Sequence, residues 1–391
     1  MDRNRLKSYA PAARRDFIQA IKTKASLIGL TPNKTEPANI EGDVAIIMGT
    51  KYPRMVYDNR DKLIRKIKTD GFEQVMERVA YSWFNRFLAL RYMELHSYLE
   101  HGFRVLSNRA GRSVPEILEN VDKVKFESLD ICNVLELKLQ GNKDAEIYSM
   151  LLVAQCNELH QAMPFLFEAI NDETELLLPD NLLRPDSILS KLVNEIPEDD
   201  WQEVEIIGWI YQFYISEKHD EVNGKVVKSE DIPAATQLFT PNWIVKYMVQ
   251  NTLGSKWLAT YPKSSIKSKM EYYIEPAEQT PEVKEKLASI TPDSLNPEEI
   301  TLMDPACGSG HILVEAYDIF KEIYLERGYR TRDIPRLIIE KNLYGLDIDD
   351  RAAQLAGFAV LMKARSDDSR ILNDAPKLNI LALQSSEDIN A

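Results

Sequence analysis

The chain has 391 residues, 44% of them hydrophobic and 28% charged, which suits an ordinary globular protein of two or three domains with a large core. No run approaches the ~18 apolar residues of a membrane-spanning helix; the nearest, in "AAQLAGFAVLM", stops at Lys363, so no membrane partner is expected. The formal net charge of −13 is unevenly placed: residues 1–70 carry +7 and the rest −20, so only the N-terminal segment offers charge to neutralise nucleic-acid phosphates.

The first residues, "MDRNRLKSYAPAARRDF", are basic but lack the apolar stretch of a secretory signal. Cys132, Cys156 and Cys307 are odd in number and far apart. They make neither a disulfide framework nor a zinc pattern, and a reducing cytoplasm is the expected location. The basic residues Arg3, Arg5, Lys7, Arg14, Arg15, Arg60, Lys62, Arg65, Lys66 and Lys68 form either a solvated helix face or a DNA contact.

Residues 1–225 are predicted to be a helical domain. In "FEQVMERVAYSWFNRFLALRYMELHSYLE", apolar residues at 72, 75, 76, 79, 83, 84, 87, 88, 95 and 98 follow a helical period with a wide buried face. "AEIYSMLLVAQCNELHQAM" and "SILSKLVNEIP" follow the same pattern, and so does "WQEVEIIGWIYQFYISEKHDEV", with Ile206, Trp209, Ile210, Phe213 and Tyr214 facing inward. Prolines 164, 179, 185 and 197 punctuate the region.

Residues 226–391 form the second predicted domain. In "TQLFTPNWIVKYMVQNTLG", Thr240 suits a helix N-cap, Pro241 the first helical position and Gly254 the end. Residues 261–299 have the composition of a linker or small insertion, with one short helix around "PEVKEKLAS". Then the pattern changes. "ITLM", "LYGLDI" and "LNILAL" are short strand-like runs, separated by helices from about His311 to Glu326 and Arg351 to Ala364. Strand, helix, strand, helix, strand is the beginning of a doubly wound parallel sheet, in which ligands bind at the carboxyl ends of the strands.

The turn after the first of these strands is "DPACGSGHIL". Gly308 and Gly310 permit a tight turn and close approach of a ligand. No Gly-Lys-Ser/Thr follows, so it is not a nucleotide-phosphate loop, and Leu313 stands where a dinucleotide fingerprint has its third glycine. Asp304, at the head of the turn, would repel a pyrophosphate. It suits a ligand with a cationic group and no phosphate, such as S-adenosyl-L-methionine, whose ammonium it can meet through a charge-assisted hydrogen bond. Asp347, at the end of the second strand, is placed for ribose hydroxyls, and Ile348 for the adenine face. Ala306 belongs to the same candidate set. The other possibility is a strand–turn–helix that happens to have a polar rim.

"DPACGSGHILVEA" resembles the cofactor motif of N6-adenine DNA methyltransferases, and "YGLDIDDRA" resembles their second motif. "LFTPNWIVKYM" is similar to their upstream Phe-Thr-Pro motif, which implies that Phe239, Thr240 and Pro241 close over the methionine end of the cofactor. "AYSWFNRFLALRYMELHSYL" and "EIIGWIYQFYISEKHDEV" resemble the PglX-type methyltransferases of BREX phage-exclusion systems. The resemblance implies an α + α/β protein: a helical domain followed by the first half of a Rossmann-like S-adenosyl-L-methionine-dependent methyltransferase domain. It also implies double-stranded DNA as partner, with other phage-defence proteins as further candidates.

The family's catalytic motif, Asn/Asp-Pro-Pro-Tyr/Phe, does not occur in the 391 residues; the one Asn-Pro, Asn296-Pro297, is followed by two glutamates. The chain is therefore expected to be an N-terminal portion, truncated before the catalytic strand, inactive alone, with most DNA contacts beyond it. A non-catalytic scaffold that docks other defence proteins or a phage component is the alternative. Asp130, Glu136 and Lys138 loosely echo a nuclease metal site. His96, His101, His160 and His219 are expected to be structural or surface residues, Cys307 to be a packing residue, and His311 to line the cofactor pocket without catalysing.

Overall fold

A computed structural model describes residues 2–168, 174–227, 231–238 and 240–384. The chain divides into two compact units, Met1–Glu203 with Phe213–Glu217, and Val204–Gln212 with Lys218–Ala391. The helix Glu205–Val222 contributes residues to both.

In the first unit, helix Arg3–Leu27 begins where Asp2 accepts from the Asn4 N–H at 3.0 Å, which satisfies one of the orphan donors of the first turn. Leu6, Tyr9, Ala10, Ala13, Phe17 and Ile21 recur at helical spacing and are buried. They pack on the helix Phe72–Leu95, where Phe17 meets Phe84 edge to face at 5.2 Å. That second helix is buried almost all round, including its polar residues. Glu94 is satisfied there by Arg91 Nη1 at 2.6 Å, Ser107 Oγ at 2.8 Å and the Leu106 N–H at 2.7 Å. A buried carboxylate without such partners would cost several kcal/mol.

The all-helical expectation for this region needs one correction. Three strands, β1 (Ala38–Glu41), β2 (Val44–Ile47) and β3 (Thr50–Pro53), form an antiparallel sheet in the order β1-β2-β3. Its second turn holds Met48 at φ +50° and Gly49 at φ +82°, the paired left-handed residues that a two-residue hairpin requires.

In the second unit, helix Asn242–Val249 does not stop at Gly254. It continues through a π-helical turn, Gln250–Gly254, into helix Ser255–Thr260. Gly254 has ordinary helical angles, and any side chain there would collide with Met270. The glycine serves packing rather than termination. The start also differs: Pro241, at ψ 140°, is the N-cap, and no side chain caps the helix. The expected linker is partly fastened down. Glu326 accepts from Ser264 Oγ at 2.5 Å and from the Ser265 N–H at 3.1 Å. Helix Pro281–Ile290 lies within it and buries no residue.

Strands β4 (Leu302–Asp304), β5 (Leu343–Asp347) and β6 (Ile380–Ala382) are parallel, in the order β4-β5-β6. Helix His311–Glu326 connects β4 towards β5, and helix Asp350–Asp367 connects β5 towards β6. Both pack on the sheet and on each other. The first buries Leu313, Ala316, Phe320 and Ile323; the second buries Ala352, Ala353, Ala356 and Ala359, whose small side chains permit close approach. Asn342 is fully buried ahead of β5. Its amide donates to the Pro297 and Ile300 carbonyls at 2.8 and 2.7 Å, and Tyr324 donates to its oxygen at 3.0 Å, so the polar group is satisfied.

Candidate cofactor site at the strand ends

Asp304 and Asp347 are the last residues of neighbouring parallel strands. Parallel pairing with Asp304 in register with Gly345 brings both carboxylates to one end of the sheet. The glycine turn is tied across to β5: the Cys307 N–H donates to the Leu346 carbonyl at 2.8 Å, and the Gly308 N–H to Asp347 Oδ2 at 2.8 Å. The Asp349 N–H donates to the other oxygen, Asp347 Oδ1, at 2.8 Å. The turn and the β5 loop are therefore one hydrogen-bonded body, with Asp347 as its joint.

Two glycines are required for different reasons. Gly310 sits at φ +86°, and a Cβ on it would stand 2.9 Å from the Ala356 Cα, so the turn can lie against the 350–367 helix only without a side chain. Gly308, at φ +52°, has no atom within 4 Å of where its Cβ would be. That side of the turn is open.

Asp304 is the more deeply buried of the two acids. Burial pushes the Asp304 carboxyl above the usual aspartate range; the Ala306 N–H, 3.1 Å from Oδ1, pulls the other way, and the Asp347 charge adds to the rise. A desolvated carboxylate with one described hydrogen bond is a favourable partner for a cationic amine. It is a poor one for phosphate. Asp347 is half-buried, and Ile348 beside it is 50% exposed, an apolar surface at the rim. Ala306 is exposed in the turn. Cys307 is buried, and burial together with the two nearby carboxylates pushes its thiol up to about 12. A thiol so raised is disfavoured as a nucleophile, and its burial fits packing beneath the turn.

Phe239 lies outside the described residues. Thr240 is half-buried and Pro241 exposed, just ahead of the helix that starts at Asn242. That helix packs on helix His311–Glu326, with Lys246 acting electrostatically on Glu315, one turn into each helix.

A third participant, not among the residues expected at the site, is the helix Glu205–Val222. A Cβ at Gly208 would lie 2.6 Å from His311 Nε2 and 2.7 Å from Ser309 Oγ, so the helix backbone rests directly on the glycine turn. One turn on, the buried Tyr211 donates its hydroxyl to Asp349 Oδ2 at 2.6 Å. His311, which also pairs with Ser309 Oγ at 3.2 Å, is held neutral: burial lowers it to about 4.

The other candidates separate cleanly. Asp130 caps helix Ile131–Gln140. Glu136 and Lys138 lie on that helix two residues apart, hence roughly 200° around it, and do not converge on a metal. Among the described residues no cluster of His, Cys, Asp and Glu could hold a metal ion. His96 pairs with the Trp201 carbonyl at 2.8 Å, His101 with Gln155 at 2.6 Å and His160 with the Phe167 carbonyl at 2.7 Å. His219 stands 3.5 Å from Asp220. Much of the expected basic patch is occupied: Arg5 pairs with Asp200, Arg14 with Glu77 and Arg15 with Glu217, while Arg60 is buried on the carbonyls of Ile28, Gly29 and Glu36. No helix among the described residues is long and apolar enough to cross a membrane.

Residues 277–391 match the family described as "MmeI, DNA-methyltransferase domain". That interval contains the glycine turn, both acids and Ile348. The chain is also 57% identical to the adenine-specific methyltransferase BrxX of Escherichia coli O9:H4 (strain HS), over 99% of this chain and 33% of that protein. That likeness to an adenine-specific methyltransferase runs over nearly the whole chain. It is 35% identical to the adenine-specific methyltransferase PglX of Lacticaseibacillus casei (strain Zhang), over 95% of this chain and 33% of that protein. It thus spans about a third of the length of BrxX and of PglX, and the likeness covers the helical unit as well as the strand-end site.

Proposed function

We propose that this chain is the N-terminal, S-adenosyl-L-methionine-holding part of an N6-adenine DNA methyltransferase of a BREX-type phage-defence system, acting on double-stranded DNA in the cytoplasm. In this proposal residues 1–225 are the helical domain and residues 226–391 the first half of a Rossmann-like methyltransferase domain. The observation that carries it is the pair of acids on adjacent strand ends, Asp304 desolvated and Asp347 bonded to the glycine turn. Phosphate is disfavoured at such a turn, and an ammonium with a ribose is favoured.

Asp304 would hold the ammonium, and Asp347 the ribose hydroxyls through the lone pairs that the Gly308 and Asp349 amides leave available. Ile348 would cover the adenine face, the backbone of Ala306, Gly308 and Gly310 would line the floor, and Phe239, Thr240 and Pro241 would close the methionine end. When bound, the cofactor supplies a methyl carbon to the amino nitrogen of an adenine turned out of the duplex. The groups that receive that adenine are not among these 391 residues, which contain no Asn/Asp-Pro-Pro-Tyr/Phe.

The test is transfer of label from methyl-tritiated S-adenosylmethionine to unmethylated duplex DNA. The intact protein is expected to label adenine N6, its Asp304→Ala variant to lose the activity, and the 391-residue chain alone to transfer none. Transfer by the chain alone would overturn this division of roles. A folded intact protein that binds no donor would instead favour a scaffold that docks other defence proteins.

A further inference from the structure

Helix Glu205–Val222 meets the candidate site at two points one turn apart. Gly208 admits the Ser309–His311 end of the glycine turn, and Tyr211 reaches Asp349 in the loop after β5. Residues three apart lie on one face of a helix, so a single helix face braces both loops.

The Tyr211 contact has an unusual degree of purchase. Tyr211 is 2% and Asp349 6% exposed, so the 2.6 Å bond is shielded from water, where a charge-assisted hydrogen bond is strong. Asp349 then has both oxygens committed, Oδ2 to Tyr211, Oδ1 to the Arg351 N–H at 3.0 Å and Nε at 2.8 Å. Its own N–H donates to Asp347 Oδ1. The path from Tyr211 to Asp347 is therefore two hydrogen bonds long, and the far oxygen of Asp347 holds the Gly308 N–H. Packing of the ring alone does not require the hydroxyl to reach Asp349; the hydrogen bond orients the carboxylate and with it the loop.

We propose that Tyr211 is a positioning residue of the cofactor site, fixing the Asp347 carboxylate through Asp349, and that the helix Glu205–Val222 belongs functionally to that site. This rests on the cofactor assignment above, but its mechanical part does not. Tyr211→Phe keeps the ring and removes only the hydroxyl. In the intact protein, with S-adenosylmethionine as probe, the variant is expected to bind about tenfold more weakly, the size of one charge-assisted hydrogen bond. Asp349→Asn is expected to weaken binding similarly, and the double variant to be no worse than either alone, because both act through one link. Without ligand, hydrogen exchange at the Asp349 and Gly308 amides is expected to accelerate in Tyr211→Phe, while amides of the 72–95 helix stay protected.

Unchanged exchange at those two amides, or additive losses in the double variant, would overturn the proposal. Accelerated exchange in a protein whose wild type binds no donor would keep the bracing role and reject the cofactor assignment. A general loss of protection throughout the fold would show a merely structural tyrosine and would also overturn it.

Discussion

The Gly308 N–H lies 2.8 Å from Asp347 Oδ2, joining a turn after one strand to the acid that ends the next. Together with the Cys307 N–H on the Leu346 carbonyl, this bond, between residues 39 apart, joins two separate sequence motifs into one surface. The turn alone could serve many ligands. Tied to Asp347 and headed by the desolvated Asp304, it would, on the proposal above, favour a cation with a hydroxyl-bearing body.

Asp304 should be a residue kept at a cost to stability. Its folded carboxyl titrates above its unfolded value, so it favours folding only where it is protonated, and that contribution is lost as pH rises through the folded value. Asp304→Asn is therefore expected to raise the ligand-free melting temperature at pH 7, with the gain shrinking below about pH 4, the ordinary aspartate range. The same variant is expected to bind S-adenosylmethionine at least about tenfold more weakly, through loss of a charged hydrogen bond. Thermal melts at pH 4 and 7 with and without cofactor check both arms; a lowered melting temperature at pH 7 would contradict the desolvation argument.

His311 carries the opposite sign. A histidine lowered from 6.5 to about 4 is neutral in the fold and protonated sooner in the unfolded chain. Its contribution is fully present above pH 6.5 and is lost as pH falls towards 4, amounting to about 3 kcal/mol by linkage. Equilibrium unfolding of wild type and His311→Gln between pH 7 and 4 should show a steeper acid loss in the wild type. Parallel curves would show that His311 is not held neutral.

Gly208→Ala sets helix propensity against packing. The substitution favours a helix by up to ~1 kcal/mol, whereas overpacking a closed contact costs about 1–3 kcal/mol. The added carbon would meet Ser309 Oγ and the His311 ring, whose Nε2 is shut off from solvent, so packing should win. Denaturant unfolding is expected to show net destabilisation of about 1–2 kcal/mol and cofactor titration a weaker complex. A more stable variant with undiminished binding would mean that the helix does not press on the turn.

Much of this candidate site is legible in the sequence because its signals are local. "DPACGSG" and "GLDIDD" each sit at the end of a short apolar run, and strand ends in a parallel sheet converge. The long helices were legible through their period. What escaped was non-local. Tyr211 and Asp349 are 138 residues apart, and a hydrogen bond across that distance leaves no periodic trace. Gly208 carries no local mark of the element it meets, though a glycine inside a buried helix hints at close approach of another element. Gly254 suggested a helix end because its packing partner, Met270, is brought there only by tertiary structure. The β1–β3 sheet was missed because its strands are four residues each, too short for alternation to stand out between helices.

The most direct measurement is a calorimetric titration of S-adenosylmethionine into the intact wild-type protein and its Asp304→Ala and Asp347→Ala variants, with folding checked by circular dichroism. A site held between the ends of β4 and β5 predicts saturable binding at one site per chain, and a loss of at least about tenfold in each variant, or ~1.4 kcal/mol. A well-folded wild type that takes up no cofactor, or variants that bind as tightly as the wild type, would contradict it.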